Sequence, residues 1–183
     1  MPASEEYLSG IRITRVMDCL ADQTKIRVLA TPARDLQEIL PYLAALLPQA
    51  GYNHGAGILT LMREGRLITV YPQLVTLAKA ADEDDAQAVL EWLWDRINEA
   101  HRQRSQLTPC LERRRMPRLL DVYRLLPGGN CRRCGEATCI AMAARLVFAE
   151  ARLADCPRLA EPEFADNRTR LAEWLGRESQ TEA

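Results

Sequence analysis

Four of the six cysteines in this 183-residue chain fall in one stretch, LPGGNCRRCGEATCIAMAARLVFAEARLADCP, between Leu126 and Pro157. Their spacing is Cys131-x2-Cys134-x4-Cys139-x16-Cys156, and Pro157 follows the last directly. Thiolates are ligands for soft metals and for iron–sulfur clusters. A tight loop can present Cys131, Cys134 and Cys139 to one side of a compact inorganic cluster. A helix of about four turns then carries the chain away and back to deliver Cys156. Gly128 and Gly129 suit a loop at positive φ, Gly135 lets backbone approach the sulfurs, and Asn130 tolerates a left-handed turn. Thr138 is placed to cap a helix opening at Cys139, with free N–H groups facing a negatively charged cluster. Ile140, Ala141, Ala143, Ala144, Leu146 and Val147 give that helix an apolar surface that screens the site from water. The pattern reads as a [4Fe–4S] site ligated by Cys131, Cys134, Cys139 and Cys156. Two other chemistries compete. A structural zinc site also takes four thiolates, although it usually draws them from two separated CxxC knuckles. A dithiol redox pair would use only Cys131 and Cys134.

The longer segment LLDVYRLLPGGNCRRCGEATCIAMAARLVFAEARLADCPRL resembles the small iron–sulfur domain at the N-terminus of the corrinoid iron–sulfur protein large subunit. The same module occurs in the ferredoxin-like subunit of the Rnf electron-transport complex. That pattern runs Leu-Pro, then Asn-Cys-Gly-x-Cys-Gly-x-x-x-Cys, an apolar helix and Cys-Pro, over roughly residues 117 to 160 here. The resemblance implies one [4Fe–4S] cluster on the same four cysteines. Three departures stand out. Arg132 replaces the usual glycine after the first cysteine. The glycine that commonly ends the helix is missing, with Phe148, Ala149 and Glu150 in its place. Neither a corrinoid barrel nor further ferredoxin repeats follow. The last departure removes any direct transfer of methyl-transfer chemistry or membrane coupling.

Elements upstream must hold and present this module. The chain has 48% hydrophobic residues and a net charge of −1, enough for a real core and too balanced for a global field toward nucleic acid or membrane. No apolar run reaches the length of a membrane span and no signal-peptide pattern opens the chain, so a soluble, cytoplasmic protein is expected. Met1 to Gly10 reads as loose. Ile11 and Ile13, with Val16 as a further candidate, alternate with polar residues as a strand, and Lys25–Ala30 is its partner. Asp35 is expected to cap a helix through about Leu47, burying Leu36, Ile39, Leu40, Leu43 and Leu47. Gly51–Gly57 reads as a glycine-rich turn, with His54 a loop residue. Ile58–Met62 and Leu67–Tyr71 flank a hairpin turn, and Leu74–Ala80 follows. Asp82–Asp85 opens an acidic helix start, and the helix runs to about Arg104, burying Val89, Leu90, Leu93, Trp94 and Ile97. Trp92 and Trp94 diverge on a helix, so one should be a partly exposed packing edge.

The fold class is therefore α+β. An antiparallel sheet of about five strands, in the order β-β-α-β-β-β-α, is covered by two helices and followed by a small helical iron–sulfur module. Expected domains are 1–104 for docking or positioning, a linker at 105–118, and 119–178 for the cluster with a C-terminal helix from about Glu163 to Leu175. The final GRESQTEA reads as disordered. Cys19 and Cys110 lie outside the metal spacing and read as spectators.

Seven arginines and a single acid, Asp121, lie between Arg113 and Arg133. A solvated surface is the plain reading. The functional one is an electropositive collar of Arg113, Arg114, Arg115, Arg118, Arg132 and Arg133 that recruits an acidic protein partner. No aromatic interleaving points to nucleic acid, and no small-molecule substrate is indicated. No catalytic constellation is apparent, so the expected protein is not an enzyme. The resemblance implies an electron carrier for a larger metalloenzyme. The alternatives are an accessory or assembly protein for a carbon monoxide dehydrogenase or nitrogenase type of client, and a zinc-stabilised interaction protein.

Overall fold

The computed structural model describes residues 6–20 and 22–175. Of the stretch Met1 to Gly10 expected to be loose, residues 1–5 lie outside the described residues, as does GRESQTEA; Tyr7 and Leu8 are instead buried in the core, because the Leu8 backbone is held by Asn98 and Trp94. The chain forms two compact units: Met1–Leu61 with Arg66–Arg115, and Met62–Gly65 with Met116–Ala183.

The first unit is built on alternation. Strands β1 (Ile11–Asp18), β2 (Ile26–Pro32), β3 (Gly51–Asn53), β4 (Ile58–Arg63), β5 (Arg66–Val70) and β6 (Val75–Ala80) form one sheet in the order β1-β2-β6-β5-β4-β3. The sheet is antiparallel. Alternate residues (Val28 and Ala30, Leu59 and Leu61, Ile68 and Val70, Val75 and Leu77) are buried, as a sheet with one covered face requires. Two bulges keep this phase. In β1 the register shifts between Ile13 and Arg15, so Ile11, Ile13 and Val16 pair with Pro32, Ala30 and Val28. In β6 it shifts at Lys79, whose φ of 66° lets Ala80 return to the core.

The sheet has one strand more than expected. β3 occupies the region read as a turn, and only Tyr52, 2% exposed, buries a large side chain there. A three-residue strand with Gly51 and Asn53 at its ends carries almost no periodic signal. Its outer edge is filled by chain from the expected linker. Tyr52 N–H donates to Arg114 O at 2.7 Å and Arg114 N–H donates to Tyr52 O at 2.8 Å.

Helix α1 (Leu40–Leu46) is shorter than the sequence suggests. Asp35 does not cap it; its carboxylate accepts from Gln37 N–H at 2.7 Å in a local turn. Pro41 explains the late start. In a helix running through from Leu36, its ring would clash with the carbonyl of Gln37 and one N–H would be missing, whereas in the first turn it fits. The apolar stripe is nevertheless buried throughout: Leu36, Ile39, Leu40, Leu43 and Leu47. Helix α2 (Glu83–Arg102) is capped by Asp82, which accepts from Asp85 N–H at 2.8 Å. It buries Ala86, Val89, Leu90, Leu93, Ile97 and Ala100. Trp92 and Trp94 are both half-buried against this same core, so neither is left as an isolated edge. Trp94 Nε1 donates to Leu8 O at 2.5 Å, and the buried Asn98 brackets the same residue, accepting from Leu8 N–H and donating to Leu8 O.

The second unit carries α3 (Leu119–Leu125), α4 (Cys139–Val147), three short 3-10 turns (Leu153–Asp155, Pro157–Ala160, Pro162–Phe164) and α5 (Ala165–Leu175). Its core joins Val122, Leu125, Met142, Ala143, Leu146, Leu153, Leu159, Leu171 and Leu175. Among the described residues no helix is long and apolar enough to cross a membrane.

Candidate metal centre

The loop from Leu126 to Thr138 is shaped by backbone that leaves the ordinary regions. Gly128 (φ 71°), Asn130 (45°), Arg132 (61°) and Gly135 (84°) all adopt left-handed conformations. The expectation of positive φ holds for Gly128 but not for Gly129. For Arg132 the conformation costs about 1–2 kcal/mol that a glycine would not incur.

Asn130 does more than tolerate its turn. Its Oδ1 accepts from Cys139 N–H at 2.7 Å, tying the residue before Cys131 to the start of α4. Thr138 caps the helix as expected, with Oγ1 accepting from Ala141 N–H at 3.2 Å. Two of the opening N–H groups are thus engaged by side chains rather than left free for an anion. Along α4, Cys139, Met142, Ala143 and Leu146 share the buried face, at i, i+3, i+4 and i+7.

The helix is nine residues long rather than four turns. Ala149, at φ 58°, stands in the left-handed position just past its end. Glu150 N–H returns to Arg145 O at 2.8 Å and Ala149 N–H to Leu146 O at 3.1 Å, a Schellman closure with alanine where glycine is usual. The chain then reaches Cys156 through a single 3-10 turn.

All four cysteines are free thiols and line one pocket, together with Asn130, Arg132, Glu136, Thr138, Met142 and Arg158. Their exposure is graded: Cys139 and Cys156 are buried, Cys134 is half-buried and Cys131 faces solvent. Burial is the main cause that pushes the Cys156 thiol above its ordinary pKa, and the nearby Cys134 and Cys139 add to it. Among the described residues no three His, Cys, Asp or Glu side chains close to the spacing of a single-ion site. The donor chemistry fits an iron–sulfur cluster: four thiols on one pocket, cations at its wall, and glycine-like backbone around the mouth.

The other residues singled out in the sequence separate. Cys19 is buried in the first unit, and Cys110 N–H bonds to Pro41 O there. Arg113, Arg115, Arg118, Arg132 and Arg133 are exposed. Arg133 pairs with Glu161 at 3.6 Å. Arg114 differs from its neighbours. Its Nε donates to Ala50 O at 2.9 Å and its Nη2 to Leu47 O at 2.8 Å and to Ala44 O. It closes carbonyls at and just after the end of α1. Arg158, two residues past the last cysteine, was not among the expected site residues; only its nearness to Cys156 hinted at it.

Residues 126–158 match the model of the family described as "Putative Fe-S cluster". The chain is also similar to the acetyl-CoA decarbonylase/synthase complex subunit gamma of three archaea. In Methanocaldococcus jannaschii the identity is 39% over 56 residues, 31% of this chain and 12% of the relative. In Methanothermobacter thermautotrophicus it is 52% over 44 residues, 24% and 10% respectively. In Methanosarcina acetivorans it is 42% over 60 residues, 32% and 13%. The chain therefore spans only about a tenth to an eighth of the length of these curated relatives. No solved structure matches it. Residues 126–158 are an iron–sulfur module.

Proposed function

We propose that the second unit binds one [4Fe–4S] cluster through Cys131, Cys134, Cys139 and Cys156, and that the protein passes single electrons to or from a larger metalloenzyme. The observation that carries this reading is the shared pocket: four free cysteines, distant in sequence by up to 25 positions, line one wall-to-wall site inside the matched segment. When bound, such a cluster supplies one-electron redox chemistry.

The chain's own residues do the rest. Asn130 and Thr138 fix the start of α4, and so the direction from which Cys139 enters the pocket. Met142 and the apolar face of α4 keep water from the Cys139 and Cys156 side. Cys131, on the exposed side, gives the edge through which a partner approaches most closely. The exposed Arg113, Arg115, Arg118, Arg132 and Arg133 favour a partner with an acidic docking surface. The similarity to a subunit of a multi-subunit complex supports a protein partner rather than a small-molecule substrate, and a corrinoid iron–sulfur type of module remains the nearest reading of the motif.

The test is anaerobic purification with iron, acid-labile sulfide and zinc analysis, and EPR before and after dithionite. About four irons and four sulfides per chain, with a signal that appears on reduction, are expected. Alanine at Cys131, Cys134, Cys139 or Cys156 should abolish or degrade the cluster, and Cys19→Ala and Cys110→Ala should leave it intact. Stoichiometric zinc without sulfide refutes the cluster. A cluster that moves to an apo-client instead of cycling refutes electron carriage in favour of an assembly role.

A further inference from the structure

Arg158 follows Cys156-Pro157 on the 3-10 turn Pro157–Ala160 and is one of the residues lining the pocket of the four cysteines. Three neighbours hold it. Nε pairs with Glu161 Oε2 at 3.3 Å, Nη2 with Glu163 Oε1 at 3.3 Å, and the Phe164 ring lies 5.3 Å from the guanidinium carbon. The third nitrogen, Nη1, points the other way, over the cluster loop. It occupies the space where a side chain on Gly129 would start: a Cβ there would lie 2.7 Å from it. Gly129 is not in the left-handed region, so a Cβ there meets no backbone strain and would act by displacing this guanidinium tip, the far end of a flexible side chain. The side chain is three-quarters buried. Screening by solvent is correspondingly weaker than for the exposed Arg132.

We propose that Arg158 is a cluster-facing cation, oriented by Glu161, Glu163 and Phe164, that stabilises the reduced state of the cluster and so raises its reduction potential. This rests on the cluster reading above. The sign follows from distance. Coulomb energy falls with separation, so the Nη1 end directed at the loop outweighs carboxylates bound on the opposite edges of the guanidinium. The fixed orientation matters as much as the charge, because a preset donor needs no rearrangement when an electron arrives. Glu161 also pairs with Arg133 from the loop between the first two cysteines, so the segment after the last cysteine and the loop before it are held to one carboxylate.

Three variants test this in full-length protein carrying its cluster: Arg158→Gln, Gly129→Ala and Glu161→Gln. Iron and sulfide content, thermal unfolding and the potential by voltammetry are read on each. Arg158→Gln should keep four irons and shift the potential down, since it removes the cation and leaves two carboxylates uncompensated. Gly129→Ala keeps the charge but pushes the guanidinium tip off the loop, so the potential should fall by a smaller step. Glu161→Gln should shift it up. These opposite signs would not follow from a merely structural role, which would lower the unfolding temperature and leave the potentials alike. Wild-type potentials in both Arg158→Gln and Gly129→Ala, with clusters intact, overturn the inference and leave the cluster reading standing. Should Arg158→Gln fail to fold, Gly129→Ala and Glu161→Gln decide by their signs. A wild-type preparation without acid-labile sulfide overturns both readings together.

Discussion

Replacing Arg114 by alanine should destabilise the first unit far more than the same change at Arg113 or Arg115. The magnitude follows from what the guanidinium touches. It donates to the carbonyls of Ala44, Leu47 and Ala50, and its backbone exchanges two hydrogen bonds with Tyr52. Helix α1 ends at Leu46 and Pro48 has no N–H to offer the Ala44 carbonyl, whereas Leu47 O also accepts from Ala50 N–H at 3.0 Å; a cation there also meets the negative end of the dipole. A hydrogen bond from a charged donor contributes about 1.5–3 kcal/mol, less where water can replace it. The site is half-buried, so we take about 1 kcal/mol for each of three bonds, or roughly 3 kcal/mol in all. For a unit of about 100 residues this corresponds to a fall of roughly 12–24 °C in Tm. The assay is thermal or urea unfolding followed by far-UV circular dichroism and by tryptophan fluorescence, since Trp92 and Trp94 report on this core. Arg114→Lys should recover less than half of the loss, because an ammonium cannot fork to three carbonyls. Arg113→Ala and Arg115→Ala should stay within about 0.5 kcal/mol of wild type. An Arg114→Ala protein that unfolds with the wild type would refute the account and return Arg114 to the exposed collar.

Three further outcomes follow from local geometry. Ala149→Gly should stabilise the second unit by about 1 kcal/mol, because φ of 58° suits glycine and the Schellman bonds are already formed; an unchanged or lower unfolding midpoint counts against it. Arg132→Gly should relieve about 1 kcal/mol of backbone strain in the apo-protein, read by unfolding, and lower the cluster's potential only slightly because this side chain is exposed; a destabilised variant would mean that the arginine makes contacts that outweigh its strain. Asp85 is held below the usual carboxylate range, first by the hydrogen bond from Arg66 and then, against the cost of burial, by Ala81 N–H. Its folded pKa is depressed, so its contribution is fully present above the unfolded value of 3.8 and disappears as pH falls through the folded one. Asp85→Asn should reduce stability at neutral pH and flatten its dependence on pH below about 4, as followed by urea midpoints between pH 2.5 and 7; a parallel acid loss in both proteins would exclude Asp85 as a source.

The cysteine spacing by itself marked the module, because ligands close in sequence must be close in space. Local rules likewise determined the Thr138 cap, the α2 start at Asp82 and most of the apolar face of α2, all of which depend on residues within one or two turns; on α4 they placed Ala143 and Leu146 correctly but missed the buried Met142 and counted Ile140, which is exposed. The inward stripe from Leu36 to Leu47 was legible even though its helix begins later, since burial follows periodicity whereas a helix boundary depends on where Pro41 can be tolerated. Tertiary structure alone decided the remainder. β3 exists because Leu59 and the distant Arg114 pair with Tyr52, and three residues carry no pattern that could announce such partners. Arg114 sits among identical neighbours in RRR, and nothing local distinguishes the one whose guanidinium reaches carbonyls 64 to 70 positions away. Arg158 and Gly129 lie 29 positions apart, and only folding brings a guanidinium into the space that a missing Cβ leaves open. Sequence records which groups are available for chemistry. Their orientation and the company they keep arise from long-range packing, which no short window contains.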